Sequence, residues 1–324
     1  MKGRFAPSPS GRMHLGNVYS ALLSWLSVRS QGGTWVLRIE DLDPQRSRRA
    51  YAEQIEDDLR WLGLEWDEGG LEARRSDGMP PTASYVQSER YEIYTHYLNK
   101  LQQQGLTYPC YCTRADIMAT QAPHESDGRI VYAGTCRPGD LAHAWDHAFS
   151  HPSGRQPATR LVVPDEAIRF VDGHYGPQTV NLARHCGDFV LRRADGAWAY
   201  QLAVVVDDAL MGITEVVRGR DLLLSAPQQI YLYRLLGFAV PTFCHLPLLC
   251  NEAGQRLSKR DRSLDLGAIR QSGCTPQSVL GKLAFLAGII DRPEPVSARE
   301  LIASFAWPGV PVADIRVNPD FLQG

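Results

Sequence analysis

One segment near the N-terminus constrains the fold more than any other feature of the sequence: residues 4–17, which read RFAPSPSGRMHLGN. Its first residues predict a short strand, and the apolar residues after Gly16 recur at helical spacing until Gly32 and Gly33 end the pattern. A helix that starts just after a strand and a Pro/Ser/Gly loop directs unpaired backbone N–H groups and a positive dipole end at an anion. The segment therefore predicts a phosphate site in an α/β fold, with His14 beside the phosphates and Gly16 allowing close backbone approach. A capped helix after a turn is the alternative explanation of the His-x-Gly pattern taken alone.

The next predicted strand ends in a cluster of carboxylates. Residues 34–39 (TWVLRI) predict a buried strand, and Glu40, Asp41 and Asp43 follow it directly. In open α/β sheets, ligands gather at the carboxyl ends of the strands. Glu40 is therefore placed for a substrate ammonium or a ribose, whereas Asp43 is interpreted as a cap of the helix that follows.

Further strands are predicted in the second half of the chain. Residues 189–193 and 198–202 flank an Asp-Gly pair that is typical of a hairpin turn, and residues 213–217 form an apolar run that ends at Arg218. The planar guanidinium group of an arginine binds both oxygens of a carboxylate. Arg218 is therefore a candidate for binding a substrate carboxylate, and a surface salt bridge is the alternative.

A second charged loop lies far downstream. Residues 256–260 read RLSKR and follow a short predicted strand and a turn at Gly254. Serine-lysine pairs are common on solvated loops, so this fragment by itself is weak evidence for a site.

Three cysteines lie in the segment between the two halves: Cys110, Cys112 and Cys136. Structural Zn²⁺ sites are tetrahedral and rich in thiolates, so these cysteines could hold one zinc ion per chain. Three buried or merely reduced thiols are the alternative. The spacing leaves the fourth ligand open, with His124 and a water molecule among the candidates.

The composition is typical of an enzyme of the cytoplasm. The chain has 324 residues, more than a single typical core, so two or three domains are expected. No charged-then-apolar leader opens the sequence, and no apolar run approaches the roughly 20 residues of a membrane helix. Free thiols or a metal site are expected instead of disulfides. With a formal net charge of −2, basic residues would have to act locally on RNA.

Taken together, the two charged loops, the acidic strand end and the cysteines resemble the class I aminoacyl-tRNA synthetases, specifically the glutamyl branch. The resemblance runs from Arg4 to about Asp265. It implies ATP-dependent activation of an amino acid, with Mg²⁺ accompanying ATP, and transfer of the amino acid to RNA. In the family the first loop contains a His-Ile-Gly-His signature; Asn17 stands at its last position here, which implies reduced catalytic assistance. Arg256 replaces the usual first lysine of the second loop.

The resemblance also implies roles for individual residues. His14 and Lys259 match catalytic positions, where each stabilises the negative charge that grows during the reaction. The residues that match glutamate-binding positions are Arg4, Ala6, Ser8, Glu40, Tyr200 and Arg218. The residues that match ATP-binding positions are His14, Gly16, Asn17, Ser258 and Lys259. The residues that match metal-binding positions are Cys110, Cys112, Tyr132 and Cys136, with the phenol oxygen of Tyr132 as the fourth zinc ligand.

The fold implied by the resemblance is a doubly wound, Rossmann-like parallel α/β sheet that is split by a zinc-bearing insertion and followed by a short helical C-terminal piece. Residues 1–107 and 189–250 are expected to form the two halves of the nucleotide-binding catalytic domain. Residues 108–188 are expected to form the insertion. Residues 251–324 are expected to form the second charged loop and the helical tail.

The length of the tail bears on the expected acceptor. A full glutamyl-tRNA synthetase continues with a large helical anticodon-binding region, whereas only about 65 residues follow Lys259 here. In this respect the chain resembles truncated paralogues of those enzymes. That resemblance implies transfer of L-glutamate to the queuosine nucleoside at the wobble position of tRNA(Asp), and a monomer is expected. Ordinary glutamyl-tRNA synthetase activity, a different nucleotidyl transfer of the same superfamily and non-catalytic tRNA binding are the alternatives.

Overall fold

A computed structural model of the protein describes residues 1–71, 73, 81–119, 131–146, 148, 154–257 and 265–318. The first part of the chain alternates strands with helices: β1 (Lys2–Phe5), α1 (Leu15–Ser30), β2 (Thr34–Leu37), α2 (Arg49–Leu62), β3 (Glu68–Gly69) and α3 (Tyr91–Gln103). The middle part is rich in strands: β4 (Thr107–Cys110), α4 (Arg114–Ala119), β5 (Ala158–Leu161), β6 (Ala167–Asp172), β7 (Gly176–Asn181), α5 (Leu182–His185) and β8 (Phe189–Arg192). The last part contains α6 (Tyr200–Leu210), β9 (Glu215–Gly219), α7 (Ala226–Leu236), β10 (Thr242–Leu246), β11 (Leu249–Cys250), α8 (Leu266–Gln271), α9 (Pro276–Leu286), α10 (Ala298–Leu301) and β12 (Ile315–Arg316). Among these described residues, no helix is long and apolar enough to cross a membrane.

The centre of the fold is a five-stranded sheet in the order β10, β9, β1, β2, β3, and each neighbouring pair of strands is parallel. Val36 and Leu37 are consecutive residues of β2 and therefore point to opposite faces of the sheet. Val36 is buried in a core with helices α3, α6 and α7, and Leu37 in a core with α1, α2 and α9. Helices thus cover both faces, and the expected doubly wound α/β sheet is confirmed.

Antiparallel strands occupy the middle of the chain. Strands β4, β5 and β8 form one sheet, and β6 and β7 form a hairpin. The hairpin packs against edge strand β10, where the rings of Phe170 and Phe243 lie 6.4 Å apart. The three-stranded sheet includes strands at both expected limits of the insertion, residues 107–110 and 189–192. The division into domains remains a prediction.

The predicted strand at residues 198–202 is wrong. A single antiparallel bridge joins Arg192 to Trp198, and the chain enters helix α6 at Tyr200. The run Leu202 to Val206 is fully buried within this helix. A buried helix and a buried strand both show a continuous apolar run, so the sequence pattern does not separate them.

The interpretation of Asp43 as a helix cap is also wrong. Its carboxylate accepts a hydrogen bond from the backbone N–H of Gln45 at 3.1 Å. Helix α2 begins only at Arg49, and its N-cap residue Arg48 makes no side-chain cap hydrogen bond. Asp43 is too far from the first turn to cap it and instead shapes the loop after β2.

The tail packs back on the catalytic core. Val279, Leu280 and Leu283 of α9 are buried in the same core as helices α1 and α2. Strand β12 pairs in parallel with β11, and Asp314 accepts a hydrogen bond from the backbone N–H of Leu248 at 2.8 Å. Since β11 leads towards the second charged loop, the tail fixes the strand from which that loop departs.

Candidate active site

A cleft of about 450 Å³ opens at the carboxyl ends of β1, β2 and β9. The predicted residues that line it are Arg4, Ala6, Ser8, His14, Asn17, Glu40, Tyr200 and Arg218. Gly16 lies on an adjoining cavity of about 90 Å³. Ser258 and Lys259 lie outside the described residues. The residues that were predicted to bind substrate and ATP, where the structure describes them, thus lie together at the carboxyl ends of the strands.

The N-terminal end of helix α1 lies at this cleft. His14 is the N-cap residue: its Nδ1 accepts a hydrogen bond from the backbone N–H of Gly16, and the Oδ1 of Asn17 accepts one from the backbone N–H of His14, both at 3.1 Å. This reciprocal pair is a capping box. An Nδ1 that accepts carries no proton, so a neutral His14 bears its proton on Nε2 and has an N–H donor there. Asn17 therefore completes the cap of α1, a role that its sequence position did not reveal.

The two charged loops meet beside the cleft, although residues 258–264 lie outside the described part of the chain. Before this segment, the backbone N–H of Leu257 donates to the carbonyl oxygen of Leu249 at 2.9 Å. After it, Asp265 forms an antiparallel bridge with His14. Both ends of the segment that carries the predicted lysine thus lie near His14, at the N-terminal end of α1.

Arg256 of the second charged loop also reaches the cleft. Its guanidinium group pairs with the carboxylate of Asp221, which follows β9. Both residues line the cleft and the adjoining cavity. The arginine keeps the positive charge of the lysine that the family usually has, and a carboxylate holds that charge at the cleft.

Beside the cleft, buried ion pairs fix Arg4 and Glu40. Asp208 of α6 accepts hydrogen bonds from Arg4 Nε at 3.2 Å and from Arg38 Nη1 at 2.6 Å, and Arg38 Nη2 donates to Glu40 Oε1 at 3.1 Å. Burial raises the pKa of Asp208, but the charges of Arg38 and Arg4 outweigh burial and hold this pKa below its ordinary value. For Glu40 the balance is reversed: burial raises its pKa above the ordinary value, against the lowering effect of the same two arginines.

Asp207 extends the network to the region of α3. Its carboxylate accepts hydrogen bonds from Arg90 Nε at 2.7 Å, Gln87 Nε2 at 2.8 Å and Tyr94 Oη at 2.9 Å. Arg38 Nε lies 3.8 Å from the same carboxylate. One helical dipeptide, Asp207 and Asp208, therefore holds together residues of β1, of the segment after β2 and of the region of α3.

The sequence-based expectations did not include Arg38, Asp207 or Asp208. A signal was present, since two adjacent aspartates stand in the otherwise apolar helix α6 and an arginine follows the apolar strand β2. Buried charges require partners. The pattern therefore indicated an ion-pair network, although not which residues would meet.

Arg218 lies at the cleft with uncharged hydrogen-bond partners. Its Nε donates to His245 Nε2 at 3.1 Å, its Nη1 to Gln229 Oε1 at 2.8 Å and Tyr200 Oη at 3.3 Å, and its Nη2 to the Leu222 carbonyl oxygen at 3.3 Å. Among the described residues, no carboxylate forms an ion pair with Arg218. Burial removes solvating water and lowers the pKa of this guanidinium. Asp208 attracts Arg218 without an ion-pair contact, and a buried cation that has no bonded carboxylate attracts an anionic ligand.

The predicted metal-binding residues also come together. The sulfur atoms of Cys110, Cys112 and Cys136 all lie within 4.8 Å of one another. Tyr132 Oη lies 3.5 Å from the sulfur of Cys110 and 3.8 Å from that of Cys112. A tetrahedral site with Zn–S bonds of about 2.3 Å places sulfur atoms about 3.8 Å apart. The cluster therefore has the size and donor set of a metal site; His124 lies outside the described residues.

Comparison with known proteins identifies the class to which this cleft belongs. The family model for the catalytic domain of class I tRNA synthetases (E and Q) matches residues 1–312. The chain belongs to this family, and the protein is a ligase.

Individual relatives agree with this assignment. A glutamyl-Q tRNA(Asp) synthetase of Symbiobacterium thermophilum is 50% identical over 318 residues, which cover 97% of this chain and 95% of the relative. A second protein of that name, from Nitratidesulfovibrio vulgaris, is 44% identical over 324 residues, covering 100% of this chain and 97% of the relative. The crystal structure of a glutamate tRNA ligase from Elizabethkingia meningosepticum, in complex with its amino acid, is similar with a TM-score of 0.80 and 28% identity, covering 99% of this chain and 68% of that chain. The family and fold expected from the sequence are confirmed.

The ion-pair network predicts a large stability effect at Asp208. Replacing Asp208 by Asn removes the charge shared by Arg4 and Arg38, and breaking a buried ion pair typically costs about 3–5 kcal/mol. We expect Asp208→Asn to lower the free energy of unfolding by that amount in denaturant titrations at neutral pH. Because the folded-state pKa of Asp208 is lowered, its contribution in the wild type should be lost as the pH falls through that lowered pKa.

The matched control is Asp195→Asn, since Asp195 forms an exposed ion pair with Arg193. Such pairs contribute about 0–1 kcal/mol. Equal, small effects of the two substitutions would show that the charge of Asp208 does not stabilise the fold.

Proposed function

We propose that the cleft activates L-glutamate with ATP to form glutamyl-adenylate, and that the enzyme then transfers glutamate to the queuosine nucleoside at the wobble position of tRNA(Asp). The observation that carries the amino-acid specificity is Arg218, a buried guanidinium group with uncharged protein partners at the cleft. Its natural ligand is an anion, and the side-chain carboxylate of glutamate supplies one. The adjacent helix N-terminus supports binding of the ATP phosphates.

The contacts of the cleft support an orientation for glutamate. Glu40 follows β2, and Arg38 fixes its carboxylate through Oε1, so Oε2 would accept from the substrate ammonium. Arg4 is held by Asp208 and lines the cleft with Ser8 and Ala6. The substrate ammonium would thus bind at Glu40 and the side-chain carboxylate at Arg218, with the reacting α-carboxylate directed at the phosphates.

The proposed chemistry uses position and charge more than covalent participation of the protein. An oxygen of the glutamate α-carboxylate attacks the α-phosphorus of ATP in line, and pyrophosphate leaves. His14 would donate from Nε2 to a phosphate oxygen, and Lys259 would neutralise charge on the phosphates. Mg²⁺ would accompany ATP and be held largely by phosphates and water.

The cysteine cluster supports a structural zinc ion. Cys110, Cys112 and Cys136 supply three sulfur donors, and Tyr132 Oη lies within 3.8 Å of two of them. Zinc would take the three thiolates and the Tyr132 oxygen as ligands and tie β4 to residues 132–136. Its contribution would be to folding of this region, since metal-binding energy at such sites is folding energy.

The proposed acceptor is supported by the proteins that this chain resembles along its length. The chain covers 95% and 97% of two proteins named glutamyl-Q tRNA(Asp) synthetase, but 68% of a glutamate tRNA ligase. An anticodon loop is single-stranded and presents splayed bases for recognition. Ordinary glutamyl-tRNA synthetase activity is the second candidate, favoured by the TM-score of 0.80 with that ligase.

Amino-acid activation is tested by ATP–pyrophosphate exchange without tRNA. We expect exchange with glutamate and not with glutamine. Arg218→Ala should raise the KM for glutamate about 10- to 100-fold, because hydrogen bonds to charged groups contribute about 1.5–3 kcal/mol. Lys259→Ala should reduce the exchange rate on the order of 10²–10³-fold, the effect of removing one transition-state donor.

Arg193→Ala is the control for arginine removal, because Arg193 pairs with exposed Asp195. Its exchange kinetics should match the wild type. An unchanged KM for glutamate in Arg218→Ala would refute the assignment of Arg218, and unchanged exchange in Lys259→Ala would remove the lysine from the mechanism.

The metal site is tested by elemental analysis of the purified protein, which should give about one Zn²⁺ per chain. Cys112→Ser should lose the metal and lower the Tm. Cys274→Ser, outside the cluster, should retain the metal and the Tm of the wild type. A metal-free preparation with unaltered melting and activity would overturn the zinc proposal. Retained zinc in Tyr132→Phe would assign the fourth position to His124 or water.

The acceptor is tested by offering labelled glutamate with three RNAs: tRNA(Asp) with queuosine, tRNA(Asp) without it, and tRNA(Glu). We expect label only on the first, even after its 3′-terminal adenosine has been removed enzymatically. Transfer should weaken steeply with salt, because arginine and lysine contacts to phosphate release counterions. Label on tRNA(Glu), or label that disappears when the 3′-terminal adenosine is removed, would favour ordinary glutamyl-tRNA synthetase activity.

A further inference from the structure

Arg218 is the end of a buried chain of hydrogen bonds that leads away from the cleft. Its Nε lies 3.1 Å from His245 Nε2, and His245 Nδ1 lies 2.5 Å from Asp172 Oδ2. The side chains of His245 and Asp172 are both 0% exposed. The chain joins three strands, since Arg218 lies in β9, His245 in β10 and Asp172 at the end of β6.

The donors and acceptors of this chain fix the protonation state of His245. A guanidinium group has no acceptor, so the hydrogen bond from Arg218 requires a His245 Nε2 that accepts and carries no proton. The proton of a neutral His245 is then on Nδ1 and faces the carboxylate of Asp172. Burial lowers the pKa of His245, and the charge of Arg218 acts in the same direction, against the hydrogen bond to Asp172.

Asp172 is itself held in place by backbone donors. Its Oδ1 accepts from the backbone N–H groups of His174 at 3.1 Å, Tyr175 at 2.9 Å and His245 at 3.2 Å. The carboxylate is therefore a fixed anchor for the imidazole ring, and β6 contributes to the geometry of a site on another sheet.

We infer that Asp172 and His245 are positioning residues that aim the guanidinium group of Arg218 at the side-chain carboxylate of the substrate and leave its charge uncompensated. The inference rests on the proposed role of the cleft in binding glutamate. A carboxylate in place of His245 would hold Arg218 equally well but would neutralise it. A neutral imidazole orients the arginine without that cost, and the negative charge of Asp172 stays one ring further away.

A pH dependence follows from the same geometry. The titratable groups that face His245 are Asp172 from β6 and Arg218 from β9, and the Leu222 carbonyl faces it from the 3-10 helix Arg220–Ser225. A doubly protonated His245 would direct an N–H at the N–H of Arg218. The KM for glutamate should therefore rise as the pH falls through the lowered pKa of His245, while the KM for ATP stays constant.

The experiment measures exchange kinetics of the full-length protein for glutamate and ATP across pH. His245→Leu should raise the KM for glutamate at least tenfold, reduce the preference for glutamate over glutamine and leave the KM for ATP within about twofold. His245→Gln keeps an acceptor for Arg218 and should restore most of the glutamate affinity, but without the rise in KM at acid pH. Asp172→Asn should resemble His245→Leu in direction.

Asp188→Asn is the matched control, because Asp188 is also a buried, hydrogen-bonded carboxylate but lies with Tyr108 and Val163 in the middle region. Its KM for glutamate should not change. If His245→Leu does not fold, His245→Gln and the pH profile of the wild type decide the matter.

The outcomes distinguish the positioning role of Asp172 and His245 from the proposed function on which it rests. A KM for glutamate that is raised in Arg218→Ala but unchanged in both His245 variants and in Asp172→Asn would overturn the positioning role. It would leave the proposed function intact. No glutamate-dependent exchange by the wild type would overturn both.

Discussion

The arrangement of the active cleft depends on the buried ion pairs of Asp207 and Asp208. These adjacent residues of α6 bind Arg4 of β1, Arg38 after β2 and Arg90 before α3. Taking charges out of water is costly unless they are closely paired, so each ion depends on its neighbours. The network connects β1 and the segment after β2 to helices α3 and α6, which pack on one face of the sheet, and it fixes the side chains of Arg4 and Glu40 beside the cleft.

The buried arginines beside the cleft differ in their hydrogen-bond partners. Arg4 and Arg38 each have a carboxylate partner within the protein, and their positive charge is largely used in holding the fold. Arg218 is equally buried but is held by an imidazole, an amide, a phenol and a carbonyl oxygen. No carboxylate of the described residues forms an ion pair with Arg218, which supports its proposed role in binding the substrate carboxylate. In the proposed function, the affinity for glutamate and the preference over glutamine depend on these uncharged partners of Arg218.

Local patterns in the sequence predicted much of the fold and the cleft, but not the contacts behind it. The strand, loop and helix around His14, the strand end at Glu40 and the position of Arg218 are visible in short segments, and the structure places them together. The partners Arg38 and Asp208 are separated by 170 residues, and Asp172 and His245 by 73, so only the fold brings them into contact. The start of helix α6 has the sequence pattern of a strand, because complete burial removes the periodicity that distinguishes the two. The family signature indicates only a catalytic role at the position of Asn17, so the sequence did not predict that Asn17 caps helix α1.

The central claim is that Arg218 is reserved for the side-chain carboxylate of glutamate. The most direct measurement is a crystal structure of the protein with a non-reactive analogue of glutamyl-adenylate. The account predicts that the side-chain carboxylate lies about 2.7–3.2 Å from the guanidinium nitrogens of Arg218, while Arg218 Nε remains bonded to His245. A side-chain carboxylate bound by another cation, with Arg218 paired instead to a carboxylate of the protein, would contradict it.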